Sequence, residues 1–147
     1  MIHGEDLIGA WRLVAWEIDF EGLDQPVHPF GEHPVGWLVY SADGVMSAQL
    51  MSSGRAGLDG RSIRKLTDQE RIDVLETFFA YAGRYRIEGD VIIHEVDVAL
   101  NPDFIGQDQH RKALLENDRL TLTGSETDAR GRQRRHCLIW QRVKGAQ

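Results

Sequence analysis

The sequence predicts a mainly all-β protein: an antiparallel up-and-down closed β-barrel of about eight strands, with one short α-helix inserted around residues 68–81. Three observations carry this. Most of the chain alternates polar and apolar residues with period two. Tight turn signals separate these runs, at Ala42-Asp43-Gly44, Gly89-Asp90 and Asn117-Asp118, and such turns join neighbouring antiparallel strands. Only one segment carries a convincing helix start, the capping box Thr67-Asp68-Gln69-Glu70. A fully antiparallel sheet removes its exposed edges by closing, and closure at about eight strands leaves room for one small ligand inside.

The first strand lies within Asp6 to Phe20. Trp11, Leu13, Ala15 and Glu17 fall on one face and Arg12, Val14, Trp16 and Ile18 on the other, so both faces are largely apolar. A loop from Glu21 to Pro34 follows, and its Phe30, His28 and His33 suggest that it packs on the body of the protein. Gly36–Ser41 and Val45–Met51 form the first hairpin, for which two registers compete. A three-residue loop with Gly44 left-handed puts Leu38 and Tyr40 with Met46, Ala48 and Leu50; a two-residue turn puts them beside Ser47 and Gln49. The first is preferred because it gathers the apolar residues. Ser52 to Leu66 is a glycine- and arginine-rich loop. After the capping box, Ile72, Leu75, Phe78, Phe79 and Ala82 recur at helical spacing, so the helix is expected to run to Tyr81 and pack across one end of the barrel; a movable lid is the alternative.

Beyond Gly83 a hairpin about Gly89-Asp90 sets Tyr85 opposite His94 and Arg84 opposite Glu95. Tyr85, Ile87, Ile92, His94, Val96 and Val98 then share the inner face. Asn101-Pro102 opens a turn-rich connection, and a further hairpin about Asn117-Asp118 pairs Leu115 with Leu120 and Ala113 with Leu122. The same ladder turns Gln109 and Arg111 inward. Glu126 to Arg135 reads as a polar, solvated loop, and Cys137 to Val143 as the last strand, with Leu138, Trp140 and Arg142 on one side.

The 147 residues fit one domain, expected to span 1–147. A net charge of −6 argues against a broad nucleic-acid or anionic-membrane surface, both of which reward positive charge. One cysteine, Cys137, forms no intrachain disulfide. Neither a signal peptide nor a membrane-spanning run stands at the N-terminus, so a cytoplasmic location is expected. A homodimer is possible.

Several stretches resemble the lipocalin-like domain family of bacteria and fungi: Leu7-Ile8-Gly9-Ala10-Trp11-Arg12-Leu13-Val14, Pro29-Phe30-Gly31, Val35-Gly36-Trp37-Leu38-Val39-Tyr40, Asp43-Gly44-Val45-Met46-Ser47, Tyr81-Ala82-Gly83-Arg84-Tyr85, Leu100-Asn101-Pro102 and Leu138-Ile139-Trp140-Gln141-Arg142-Val143. Gly9-Ala10-Trp11 is similar to the Gly-X-Trp signature of lipocalins proper. That resemblance implies an antiparallel barrel with a small-molecule pocket, and a Trp11 that closes the base under a basic residue, here Arg142. It implies no catalytic set.

Polar groups inside an apolar barrel need a partner or a ligand, which makes Tyr40, Tyr85, His94, Gln109 and Arg111 the candidate binding residues, with Met46, Leu50 and Trp140 as walls. Arg111 with a tyrosine hydroxyl would suit a carboxylate or enolate. The expected partner is a small hydrophobic or amphipathic molecule with an acidic or carbonyl group. The alternative is a cofactor-independent isomerase, cyclase or dehydratase, with His94 moving a proton and Tyr85 or Arg111 stabilising an oxyanion. A purely structural role, in which these groups bond one another, remains the third possibility. No nucleophile motif, phosphate loop or metal-ligand spacing is present, so neither cofactor nor metal is expected.

Overall fold

The computed structural model describes residues 1–145. A short helix, α1 (Gly4–Leu7), leads into β1 (Gly9–Phe20), β2 (Val35–Tyr40) and β3 (Val45–Met51); the helix α2 (Asp68–Glu76) precedes β4 (Phe78–Glu88), β5 (Val91–Ala99), β6 (Asp108–Glu116), β7 (Arg119–Thr127) and β8 (Gln133–Arg142). Each strand pairs antiparallel with its sequence neighbours, and β8 pairs with β1, closing the barrel in the order β1-β2-β3-β4-β5-β6-β7-β8.

The hairpin registers follow from side-chain alternation. Leu38 pairs with Ala48 and Tyr40 with Met46, the arrangement of the three-residue loop, and Gly44 takes a φ of 89° that favours glycine. Tyr85 pairs with His94 and Arg84 with Glu95. Leu115 pairs with Leu120 across a turn whose Asn117 and Asp118 both have positive φ, as a two-residue hairpin of matching twist requires.

Two bulges change what faces inward. In β1 the register shifts between Leu13 and Ala15, so Trp16, opposite Leu138, joins Trp11 and Leu13 on the inner face. The strict alternation that set Trp16 apart from Trp11 fails at this step. Between β4 and β5, Gly83 pairs with Val96 but Ala82 pairs with Val98, so Asp97 is the extra residue. Val98, expected inside, is consequently 66% exposed. A Cβ on Gly83 would lie 1.9 Å from the Glu95 carbonyl oxygen, so the bulge can form only where that residue has no side chain.

The helix is shorter than its apolar spacing predicts. α2 begins at the capping box, where the Glu70 N–H donates to Thr67 Oγ1 (3.2 Å) and the Thr67 N–H to Glu70 Oε1 (3.1 Å), but it ends at Glu76 rather than residue 81. Phe79 and Tyr81 pair instead with Leu50 and Ala48 of β3. Their rings gain the barrel interior and their backbone a full ladder, which outweighs one further helical turn. With those residues gone, no residue of α2 is buried, and Ile72 and Leu75 are 44% and 57% exposed. The polar stretch Glu126 to Arg135 is likewise only half loop: β7 runs to Thr127 and β8 starts at Gln133, leaving a short turn in which Asp128 accepts from the Arg130 and Arg132 N–H groups (both 2.9 Å).

The barrel has unlike ends. At one, α1 and the N-terminus of β1 form a sealed base, with Leu7 and Trp11 fully buried. The Trp11 indole N–H donates to the Leu7 carbonyl (2.9 Å), and the Arg142 guanidinium lies 4.3 Å from the Trp11 ring centre while donating to Asp118 (3.0 Å) and the Ile8 carbonyl (3.3 Å). The expected cation–π contact is therefore formed; such contacts contribute about 0.5–2 kcal/mol. At the other end, Phe30 of the long loop meets Trp16 edge-on (4.8 Å between centroids), and Phe104, in a 3₁₀ turn at Pro102–Phe104, meets Phe79 (5.4 Å).

Gly83→Ala should lower stability by about 1–3 kcal/mol, the usual range for overpacking, through collision with the β5 backbone. Gly57→Ala, where an added Cβ meets nothing within 4 Å, is the matched control and should leave the thermal midpoint nearly unchanged. Equal midpoints for the two variants would contradict the bulge.

Candidate ligand-binding site

The inner faces of the strands enclose a cavity of about 190 Å³ in the upper half of the barrel. Its walls are mostly apolar, with Leu38, Leu50, Phe79, Leu122, Leu138 and Trp140 among them, and its polar groups are Tyr81, His94, Arg111, Glu126 and His136. Arg111, Glu126 and His136 also border a wider, more polar depression outside, which Gln109 joins, so they form the rim of the cavity.

His94 is the polar centre. It is 2% exposed, and both ring nitrogens are engaged: the Tyr40 hydroxyl lies 2.7 Å from Nε2 and the Tyr81 hydroxyl 2.7 Å from Nδ1. Burial, reinforced by the positive charge of Arg111, pushes the imidazole pKa down to about 3. Burial likewise raises both tyrosines, Tyr40 well above its ordinary value; the Arg111 guanidinium partly offsets the rise at Tyr81. At neutral pH the cluster is therefore an uncharged hydrogen-bonded triad spanning β2, β4 and β5.

The rim holds a second network. The Trp16 indole, which can only donate, gives its N–H to His136 Nδ1 (3.1 Å), so the His136 proton resides on Nε2 and is donated to Glu126 Oε1. Glu126 Oε2 accepts from Arg134 Nη2 (3.0 Å). Burial lowers the His136 pKa against the pull of Glu126, while Arg134 and His136 hold the Glu126 carboxyl below the usual range. Arg111 donates to the His110 carbonyl (3.0 Å) and reaches Gln109 Oε1 (3.4 Å). Its guanidinium occupies the space over Gly124, where a Cβ would lie 2.5 Å from Nη1.

The residues singled out from the sequence are thus distributed over three places. His94, Arg111, Leu50 and Trp140 line the cavity. Tyr40 and Met46 are buried in the core beneath it, Tyr40 as a partner of His94. Tyr85 lies toward the base, its hydroxyl donating to the Ser41 carbonyl (2.8 Å) and its ring edge-on to Tyr40, and Gln109 stands outside the rim. Tyr81, Trp16 and His136 escape a sequence-based reading. Phe79, Tyr81, Gly83 and Tyr85 do alternate with period two, which is the available signal for Tyr81. His136 falls in phase with Leu138 and Trp140 once β8 is extended backward.

The depressed histidines set a pH dependence. Below about pH 6.5 the unfolded chain takes up a proton on His94 that the native state refuses until about pH 3, so stability is present above 6.5 and is lost as pH falls through that window. His136 acts in the same direction. Between pH 7 and 5, before most carboxylates titrate, His94 alone should account for about 1–2 kcal/mol of lost stability. Urea midpoints measured across this range should fall in the wild type and fall markedly less in His94→Gln; parallel curves would refute the assignment.

A fungal relative, the 4'-hydroxy-3'-methoxypropiophenone carrier protein of Aspergillus oryzae, is 29% identical over 107 residues, covering 67% of this chain and 96% of the relative. Among solved structures, bovine odorant-binding protein in complex with a selenium-containing odorant aligns with 99% of this chain and 76% of its own at 13% identity and a TM-score of 0.48. The family model described as the lipocalin-like domain matches residues 8–143, and the chain belongs to that family.

Proposed function

We propose that this protein binds and carries a small, mainly apolar molecule bearing a carbonyl or acidic group, held in the barrel cavity. The observation that carries the proposal is the cavity itself: apolar walls around a buried polar centre at His94 and Tyr81, with a charged rim at Arg111 and Glu126. An enclosed apolar cavity of about 150 Å³ is large enough for benzene. The 190 Å³ here suits one aromatic ring with a short substituent. The fungal relative is named as a carrier of 4'-hydroxy-3'-methoxypropiophenone, an aryl ketone.

Catalysis through His94 finds less support. A general base works best with a pKa near the operating pH, whereas His94 is held near 3 with both nitrogens occupied. Tyr85, one of the two candidate oxyanion stabilisers, bonds to the Ser41 carbonyl away from the cavity.

A ligand of about ten to twelve non-hydrogen atoms, at roughly 0.5 kcal/mol each, should bind with a Kd of about 40–200 μM. Titration with propiophenone, followed by tryptophan fluorescence, should show saturable one-to-one binding, since Trp16 and Trp140 line the cavity. Ala48→Phe, which puts a ring into the cavity from β3, should weaken binding at least tenfold while the protein stays folded. Undiminished affinity in a folded Ala48→Phe protein would place the ligand elsewhere.

A further inference from the structure

The direction of the hydrogen bonds in the Tyr40–His94–Tyr81 triad can be worked out by asking which arrangement leaves no buried group unpaired. Neutral imidazole has one N–H donor and one bare nitrogen acceptor, so one tyrosine must donate to it and the other must accept from it. Tyr40 is 1% exposed, and its hydroxyl is bonded to nothing but His94 Nε2 among the described residues. Were Tyr40 the acceptor, its own proton would be stranded in the core, at the cost that attends any buried unsatisfied donor. Tyr40 therefore donates to Nε2, which puts the imidazole proton on Nδ1. That N–H then donates to the Tyr81 oxygen (2.7 Å).

The consequence falls on Tyr81. Its oxygen is used as an acceptor, and its hydroxyl proton is left to find a partner in the cavity that Tyr81 lines. Trp140, a wall of the same cavity, has a buried indole N–H with no partner among the described residues. The hydroxyl of Tyr81 is thus the donor that the inner part of the cavity offers. His94 is neutral, and the two ionised groups that line the cavity, Arg111, whose guanidinium approaches the Tyr81 hydroxyl, and Glu126, have opposite signs, so the lining favours no net charge on the ligand.

We infer that the Tyr81 hydroxyl, aimed into the cavity by the Tyr40-to-His94 relay, is the donor that recognises a neutral carbonyl oxygen at the inner end of the ligand. This rests on the carrier proposal and narrows it, from an acidic or carbonyl group to an uncharged carbonyl. Tyr81 would touch the ligand; Tyr40 and His94 are positioning residues. Without the Tyr40 proton, Nδ1 is free to become the acceptor, and Tyr81 can turn its proton back toward His94.

The test compares propiophenone with propylbenzene, the same skeleton without the oxygen, by fluorescence titration of the wild type, Tyr81→Phe and Tyr40→Phe. Tyr81→Phe should lower the ketone-to-hydrocarbon affinity ratio about tenfold, leaving propylbenzene within about twofold of the wild type, as expected for loss of one buried hydrogen bond. Tyr40→Phe should lower the ratio severalfold, although Tyr40 does not line the cavity, an effect that loss of packing alone would not confine to the ketone. If both probes bind and the ratio is unchanged in Tyr81→Phe, this inference fails while the carrier proposal stands. If neither probe binds the wild type, both fail together. Should either variant not fold, the infrared carbonyl stretch of propiophenone bound to the wild type decides: a frequency below that in a hydrocarbon solvent supports the hydrogen bond, and one no lower overturns it.

Discussion

One buried imidazole ties this barrel together. His94 projects from β5 into an interior where burial and the nearby Arg111 charge keep it neutral, and tyrosines from β2 and β4 satisfy its two nitrogens. The three side chains meet only if three separate registers are right. Tyr40 must sit opposite Met46, Ala48 opposite Tyr81, and Tyr85 opposite His94. A slip of one residue in any of these ladders would turn a tyrosine to the outside and leave a buried nitrogen unpaired. The bulge at Gly83 belongs to the same constraint, because it resets the β4–β5 register between Tyr81 and Tyr85, both of which point inward.

The two ends of the barrel divide the remaining work. The base is closed by direct packing, with Arg142 spread over Trp11 and bonded to backbone carbonyls, and it leaves no path inward. The open end is held by polar contacts around a rim. There Trp16, His136, Glu126 and Arg134 are linked in one hydrogen-bonded chain. Polar contacts at a partly wet rim are cheaper to rearrange than an apolar seal, so the carrier proposal puts entry and exit of a ligand at this end. The helix α2, with no buried residue, adds little to either closure.

Hairpins and their registers were legible in the sequence because each rests on local information: a turn dipeptide, an alternating pattern, and opposite charges such as Arg84 and Glu95 that agree with it. The closed barrel followed from strand number and antiparallel order. What lay beyond the sequence depended on two inserted residues and one choice between helix and strand. The bulge near Val14 swings Trp16 inward, and the one at Asp97 swings Val98 outward; strict period-two counting cannot anticipate either. Phe78 and Phe79 fit helical spacing as well as a strand, and only the long-range ladder to β3 decides between them. The site suffered accordingly. His94 and Arg111 could be placed inside from local pattern, whereas Tyr81 is hidden in the expected helix and His136 falls between the expected loop, which ends at Arg135, and the expected strand, which starts at Cys137. The lesson is physical: a partner contributed by a distant strand is invisible until that strand's register is known.

The neutral, doubly bonded state of His94 is the claim on which the cavity, the stability profile and the ligand chemistry all depend, and nitrogen-15 NMR of the imidazole tests it directly. In uniformly labelled protein, His94 should show one protonated, pyrrole-like nitrogen at Nδ1 and one bare, pyridine-like nitrogen at Nε2, with neither shift moving between pH 8 and pH 5. Two averaged shifts that titrate together near pH 6.5 would mean that the ring is exchanging freely with solvent, and would contradict the account.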